Sequence, residues 1–296
     1  MTGTVRVEAQ AKINLRLKVL GRDDAGYHAI ETVFLRLELA DRITVAVREG
    51  GGIELDVTGD DSLVVASGPA DQNLALVAAR AFARRSGWHP RIEIGIEKLI
   101  PVGAGLGGGS ADAAAVLRAL NALAPSPLPT PDLLSLAATI GSDVPFLVTT
   151  DVVAMGWGRG ERMRTLAPLP VRPVILAVPP VHVATRDAYE WLGRPRSGSP
   201  GDPVLPADAF TSWEGAAALA ENDFSTVVAE RHPVTLAMQA ALIARGARIA
   251  MLTGSGSTVF GVFGAGDSCG QNGNAGEWRE IRTSTAAHVV PVRRMD

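Results

Sequence analysis

The sequence predicts an α+β protein of two units, and three observations lead there. Strand-like runs crowd its opening third and helical spacing follows them, an order that suits layered α+β architecture and not a regularly alternating parallel sheet. Prolines cluster over 167–173 and a new strand pattern starts at Val174, which divides the chain into units at 1–168 and 169–296. A length of 296 residues accommodates two domains of ordinary size.

Taken in order, Ala11, Ile13, Leu15, Leu17 and Val19 alternate with Lys12, Asn14, Arg16 and Lys18, the period-two pattern of a half-buried strand. Further strands are expected over 33–39, 43–47, 53–57 and 92–96, each bounded by Gly, Asp or Pro turn signals. Apolar residues at helical spacing predict helices over 73–85, 110–123 and 132–140, the last stopped by Gly141. Beyond the boundary the expected order is a strand over 174–178, a helix over 185–192, a Pro/Gly loop over 194–206 and two helices. Strands over 248–252 and 258–263, a helix near 277–282 and a closing strand over 288–292 complete the second unit. Residues 264–276, GAGDSCGQNGNAG, have the composition of a surface loop.

Hydrophobic residues make up 47% of the chain and charged residues 20%, the balance of a folded globular protein. A net charge of -3 lacks the basic excess that grips a phosphate backbone, which sets nucleic acid aside in favour of small-molecule partners. Cys269 is the sole cysteine, so neither an intrachain disulfide nor a cysteine-based zinc site can form. The N-terminal stretch alternates charged and apolar residues without the apolar core of a signal peptide, and no run approaches a membrane span. A cytoplasmic protein with no membrane partner is expected.

Residues 101–121, PVGAGLGGGSADAAAVLRALN, place five glycines in the seven positions 103–109, directly ahead of a helix. Such a loop presents bare N–H groups together with the positive end of the helix dipole, so its expected occupant is an anion, most often phosphate. A Walker loop is ruled out because Gly109 stands where its lysine belongs. Gly103, Gly105 and Gly108 meet the spacing of the dinucleotide fingerprint. That fingerprint, however, opens a first strand–helix unit and leads to a second strand ending in an acid, whereas here APSPLPTP follows the helix. A longer phosphate loop with Ser110 at the helix start is the design left, set against a tight packing turn that would be costly in backbone entropy.

Phosphoryl transfer asks for charge neutralisation, in-line aim and a proton acceptor, so a cation and a carboxylate should accompany the loop. Lys12 and Asn14 are two apart on one strand and point the same way, about 7 Å from each other. Asp143 stands in GSDVP, between Gly141 and Pro145, where no periodicity asks for an acid. Each has a plainer reading when taken singly: Lys12, Asn14, Arg16 and Lys18 as the wet face of a sheet, Asp143 as the cap of a turn, Tyr27 and His28 as loop surface. Their coincidence with the glycine loop favours the chemical reading.

The loop has the form Pro-x-x-x-Gly-Leu-Gly-Gly-Gly-Ser-Ala and resembles the ATP loop of the GHMP small-molecule kinases. AKINLRLKVLGRDDAGYHAIETVF, EKLIPVGAGLGGGSADAAAVLRALN, GSDVPFLV and LTGSGSTVF, in that order, carry the resemblance over residues 5 to about 160 and again over 253–263. AGYH departs from the family's DGYH, and 264–276 is unlike the family. The resemblance implies a two-domain α+β GHMP fold, the first unit like domain 2 of ribosomal protein S5 and the second a ferredoxin-like sandwich. It implies ATP and Mg²⁺, with Pro101, Val102, Gly103, Ala104, Gly105, Leu106, Gly107, Gly108, Gly109, Ser110 and Ala111 around the triphosphate. Ser110 is also the implied metal contact, and Asn73 and Lys98 line the adenosine pocket. Lys12 and Asp143 are the implied catalytic pair, Asp143 taking the proton of the acceptor's 2-hydroxyl. The implied acceptor is a cytidyl-diphosphate ester of methylerythritol, held by Asn14, Tyr27, His28, Asp143, Tyr189, Gly254, Ser255 and Gly256. A monomer or weak homodimer is expected.

Overall fold

The computed structural model describes residues 2–22, 28–193, 205–206, 209–267, 273–274 and 276–295. The chain opens with β1 (Gly3–Arg22), β2 (His28–Arg48), β3 (Ile53–Gly59), α1 (Asp61–Ala66), α2 (Leu74–Ser86) and β4 (Arg91–Lys98). It continues with α3 (Gly108–Leu123), α4 (Thr130–Ala138), α5 (Val144–Val148), β5 (Val153–Gly158) and β6 (Arg162–Thr165). The second half holds β7 (Pro173–Val178), α6 (Thr185–Leu192), α7 (Trp213–Leu219), β8 (Glu221–Asn222), α8 (Phe224–Arg231) and α9 (Val234–Ala244). It ends with β9 (Ile249–Leu252), β10 (Val259–Val262), β11 (Gly273–Asn274), β12 (Arg279–Ser284) and β13 (Arg293–Met295). No helix among the described residues is long and apolar enough to cross a membrane.

Two sheets result. The larger runs β13-β1-β2-β4-β3, with β5 and β8 added beside β2 and β1 and β6 beside β5; the smaller runs β11-β12-β7-β10-β9. The strands expected over 33–39 and 43–47 are one continuous strand, β2, because β1 supplies an antiparallel partner along nearly its whole length.

That pairing is interrupted by register shifts between Gln10 and Lys12, Asn14 and Arg16, and Val19 and Gly21. The first of them turns β1 over. Val5, Val7 and Ala9 pack with α2 and α3 in one core, whereas Ala11, Ile13 and Leu15 pack with β7 and β10 in another. A bulge re-aims side chains in this way, and it sends Lys12 and Asn14 toward the helical layer. The wet face expected from alternation is therefore absent: Lys12 is 3%, Asn14 2% and Arg16 8% exposed.

In the second half the helix expected near 277–282 is β12, an antiparallel partner for β7 from Arg279↔Val178 to Ser284↔Pro173. Pairing with β7 on one side and β11 on the other satisfies backbone groups of this segment, which outweighs its weak local preference. The strand expected over 288–292 is not formed. Instead the side chain of Gln10 takes the place of a neighbouring strand, its Nε2 donating to His288 O and its Oε1 accepting from Val290 N–H, each at 3.2 Å. Pairing resumes only at β13, which returns to β1. Three helices, α7 to α9, stand where two were expected. The expected loop over 194–206 falls almost wholly outside the described residues, as does Cys269.

α5 was not legible as a helix, yet it is firmly anchored. Phe146 stacks on Phe34 with ring centroids 4.9 Å apart, and the Arg36 guanidinium carbon lies over the Phe146 ring, 4.8 Å from its centroid. Arg36, 1% exposed, donates to the carbonyls of Phe146 at 2.7 Å, Thr149 at 2.9 Å and Asp151 at 2.8 Å. Arg36→Met strands these acceptors away from water, so urea denaturation should show a loss of about 2–4 kcal/mol, several times that of a surface substitution.

Candidate active site

α3 starts at Gly108, with Gly107 as its cap at φ 71° and ψ 19°. Gly103 and Gly105 also hold positive φ, at 66° and 79°. Here glycine is required by proximity as well as by conformation: a Cβ on Gly105 would stand 2.2 Å from Thr253 O, and one on Gly107 2.9 Å from Lys12 Cε. The helical ladder opens with Ala111 N–H on Gly107 O at 2.8 Å. The amides of Gly108, Gly109 and Ser110 lie ahead of it, at the positive end of the dipole and on the wall of a cleft of about 1750 Å³. This is an anion cradle.

Lys12 lies beneath the cradle. Its N–H donates to Leu106 O at 3.0 Å, and its ammonium has an acceptor for each of its three protons: Asn14 Oδ1 at 2.8 Å, Gly105 O at 3.1 Å and Asp143 Oδ2 at 3.2 Å. Asp143 occupies the cap position of α5 but makes no side-chain cap bond. The plainer reading of this acid fails on that geometry. Its carboxylate, 27% exposed, faces Lys12 and the cleft instead.

Asn14 joins the two halves of the molecule. Its Nδ2 donates to Thr32 Oγ1 at 2.7 Å, its Oδ1 accepts from Gly254 N–H at 3.1 Å as well as from Lys12, and its N–H donates to Thr253 Oγ1 at 3.1 Å. The turn holding Gly254, Ser255 and Gly256 is thereby set against the glycine loop. Asn222 Nδ2 braces it from behind, donating to Leu252 O and Gly254 O at 2.9 Å each, and Ser255 Oγ meets Thr185 Oγ1 at 3.0 Å.

At the far end of the cleft His28 stacks on Tyr189, with centroids 4.3 Å apart and planes inclined by 19°. Phe224 meets the edge of Tyr189 at 4.9 Å. Burial first, and then the Asp143 carboxylate, push the Tyr189 phenol up to about 12; both residues line the same cleft. Tyr27 lies outside the described residues.

Of the other expected contacts, Pro101, Gly103, Ala104 and Ser110 line the cleft with the residues above. Val102, Leu106, Ala111, Asn73 and Lys98 do not. Leu106 and Ala111 are core residues, and Asn73 caps α2 by accepting from Ala75 N–H at 2.9 Å. Lys98 is buried between Asp41 and Asp112, at 2.5 Å and 2.8 Å. Burial alone would lower its pKa, but Asp112 and then Asp41 outweigh it and hold it above the ordinary lysine value. Thr253, Asn222 and His182 escaped the sequence reading. His182 lies so close over Gly103 that a Cβ there would fall 2.3 Å from its Cε1. Among the described residues no three His, Cys, Asp or Glu gather as a metal site. Ser110 and Asp143 nevertheless both present oxygens to the cleft, the donor type that Mg²⁺ takes alongside phosphate oxygens.

Residues 73–158 match the GHMP kinases N terminal domain. A relative from Solibacter usitatus (strain Ellin6076), 4-diphosphocytidyl-2-C-methyl-D-erythritol kinase, is 39% identical over 267 residues, covering 88% of this chain and 82% of that protein. The chain belongs to this kinase family. A crystal structure of 4-(cytidine 5'-diphospho)-2C-methyl-D-erythritol kinase superposes with a TM-score of 0.73 at 32% identity, over 95% of this chain and 99% of that one. A homoserine kinase from Cytophaga hutchinsonii gives 0.68 at 15% identity over 99% and 98%, a likeness of fold alone. The GHMP kinase fold is thus shared among kinases of different acceptors, and the acceptor must be argued from the site.

For a 4-diphosphocytidyl-2-C-methyl-D-erythritol kinase the glycine loop is the element to test first. Gly107→Val adds a side chain at a left-handed residue and against the stem of Lys12. The variant should keep the far-UV circular dichroism of the parent and lose at least about tenfold in ATP affinity by calorimetry, since the amide cradle closes.

Proposed function

We propose that the chain transfers the γ-phosphoryl group of ATP to the 2-hydroxyl of 4-diphosphocytidyl-2-C-methyl-D-erythritol, releasing ADP. The observation that carries this reading is the Lys12 Nζ to Asp143 Oδ2 pair, 3.2 Å long, set in the cleft beside the glycine loop. Binding a nucleotide needs the cradle alone; an ion-paired carboxylate facing the same space supplies the proton acceptor that transfer to an alcohol needs.

In this reading the amides of Gly108, Gly109 and Ser110 hold the triphosphate. Lys12, held by Asn14 and Gly105 O, fixes Oδ2 of Asp143 and leaves Oδ1 to take the hydroxyl proton. Bound Mg²⁺ would screen phosphate charge, with Ser110 and Asp143 as its protein oxygens. The cytosine is taken by His28 and Tyr189, with Tyr27, which precedes His28 in the sequence, as a further contact. At 4.3 Å the rings of His28 and Tyr189 are already in contact, so the base enters by displacing His28 from Tyr189. Asn14 contributes by position, since its polar atoms are used within the protein; Gly254, Ser255 and Gly256 form the opposite wall. We also assign the units 1–168 and 169–296 as an S5-domain-2-like half and a ferredoxin-like half in a cytoplasmic monomer or weak homodimer, with β13 returning to the first sheet.

The direct test is to incubate the protein with ATP, Mg²⁺ and the cytidyl compound, homoserine or mevalonate, and to follow ADP. Turnover with the cytidyl compound alone is expected; turnover with either of the others at a similar rate would overturn the assignment. Asp143→Asn should bind ATP nearly as well as the parent and lower kcat by about 10²-fold or more, the usual contribution of a general base. Tyr189→Ala removes one stacking face and should weaken the cytidyl substrate roughly 5- to 150-fold with little change in KM for ATP.

A further inference from the structure

Lys98 was expected to line the adenosine pocket, and its side chain does not reach the cleft at all. It donates to Asp41 Oδ2 at 2.5 Å and to Asp112 Oδ2 at 2.8 Å, and the three side chains are at most 3% exposed. Asp41 does more than balance its charge. The ladder between β2 and β4 ends at the pair Arg42↔Glu97, and one residue beyond it Asp41 Oδ1 accepts the next two free amides, Leu99 N–H at 2.6 Å and Ile100 N–H at 2.8 Å. This carboxylate therefore extends the sheet to the last residue before Pro101. Asp112 lies on the other side, as the fifth residue of α3.

The two ends of the glycine loop are thus tied to one ammonium. They are also in contact: a Cβ on Gly108 would lie 3.0 Å from Ile100 Cγ2 and 3.5 Å from Lys98 Nζ. Replacing a buried ion cluster with apolar side chains is often neutral for stability, so stability is a poor reason for the cluster. It even carries a cost, since Asp112 Oδ1 has no hydrogen-bond partner. What charge-assisted hydrogen bonds supply, and apolar contact does not, is a fixed direction and spacing. A loop this rich in glycine loses more backbone entropy on ordering than any other, and closing its ends removes part of that loss before a ligand arrives.

We propose that Asp41, Lys98 and Asp112 form a staple that holds the two ends of the glycine loop at the spacing its phosphate ligand requires. Lys98 is then a positioning residue that serves the nucleotide through the shape of the loop, without touching it. The nucleotide part of this inference rests on the ATP reading above; the staple itself is a statement about the loop, and the two are separable by experiment.

The double variant Lys98→Met/Asp112→Leu removes the staple; Asp41 loses its counter-ion but keeps its two backbone donors, Leu99 N–H and Ile100 N–H. Without any nucleotide, amide exchange in the peptide spanning the loop should accelerate by about tenfold or more while exchange in β1 and β2 is unchanged. ATP affinity should fall by about tenfold or more, with kcat at saturating ATP and KM for the acceptor held within about threefold, the signature of a lost ground-state fit. Asp112→Asn, which still offers Lys98 an acceptor, should recover most of both effects. Unchanged loop exchange in the double variant overturns the staple. So does a loss in Asp112→Asn equal to that of the double variant, an arm that stands even if the double variant does not fold. Faster loop exchange in a protein whose parent binds no ATP upholds the staple and overturns the kinase reading instead.

Discussion

The ammonium of Lys12 is the contact on which the site depends. A charge buried to this extent is costly unless it is paired and fully hydrogen-bonded, and here its three protons go to three different elements: the strand that carries it, the glycine loop and the turn ahead of α5. Because the acceptors come from separate parts of the chain, satisfying the lysine fixes their relative positions. The glycine loop and the Asp143 carboxylate are therefore placed by one side chain, and no independent device is needed to keep them in register. The bulge after Gln10 is what makes this possible, since an unbroken alternation would turn Lys12 away from the helices.

The same strand couples the halves. Ala11, Ile13 and Leu15 lie in a core shared with β7 and β10, while on the opposite face Asn14 receives an amide of the Gly254 turn. Apolar packing supplies the bulk of that association, and Asn14 supplies its alignment, because an amide oxygen shared between Lys12 and Gly254 N–H tolerates little sliding. Thr253 closes the arrangement from the second half, bonding both Asn14 N–H and Gly105 O. The cleft walls are accordingly set by polar bonds that cross between the halves beside the glycine loop and the Lys12–Asp143 pair.

Much of this was legible in the sequence, and what was not has physical causes. The glycine loop announced itself because its composition is tied to close backbone approach, which Gly105 and Gly107 now show against Thr253 and Lys12. Asp143 could be picked out because no periodicity explained an acid there. Lys12 could be named but its burial could not, since a bulge leaves no mark in the alternation of apolar and charged residues. Asn222 gave no signal, its role being to brace carbonyls far away in the chain. The segment near 277–282 was misread because the partner that makes it a strand, β7, lies about a hundred residues earlier, and local preference cannot see such a partner. Lys98 was misplaced for the converse reason: its position along the chain is next to the loop, but its side chain points under it.

These contacts divide the cleft into a rigid end and an adaptable one. At the glycine-loop end three polar side chains are held by protein: Lys12 by three acceptors, Asn14 by Thr32, Gly254 and Thr253, and Asp143 by Lys12. At the acceptor end the aromatic rings rest on one another, His28 on Tyr189 and Tyr189 against Phe224. Ring contacts are worth about 0.5–1.5 kcal/mol each beyond burial, and a stacked base can replace one at similar worth. The division suits the proposed chemistry. Phosphoryl transfer gains from groups fixed in advance around the reacting atoms, whereas a nucleotide-bearing acceptor can be admitted by exchanging one stacking partner for another, so that binding at the aromatic end leaves the Lys12–Asp143 pair undisturbed.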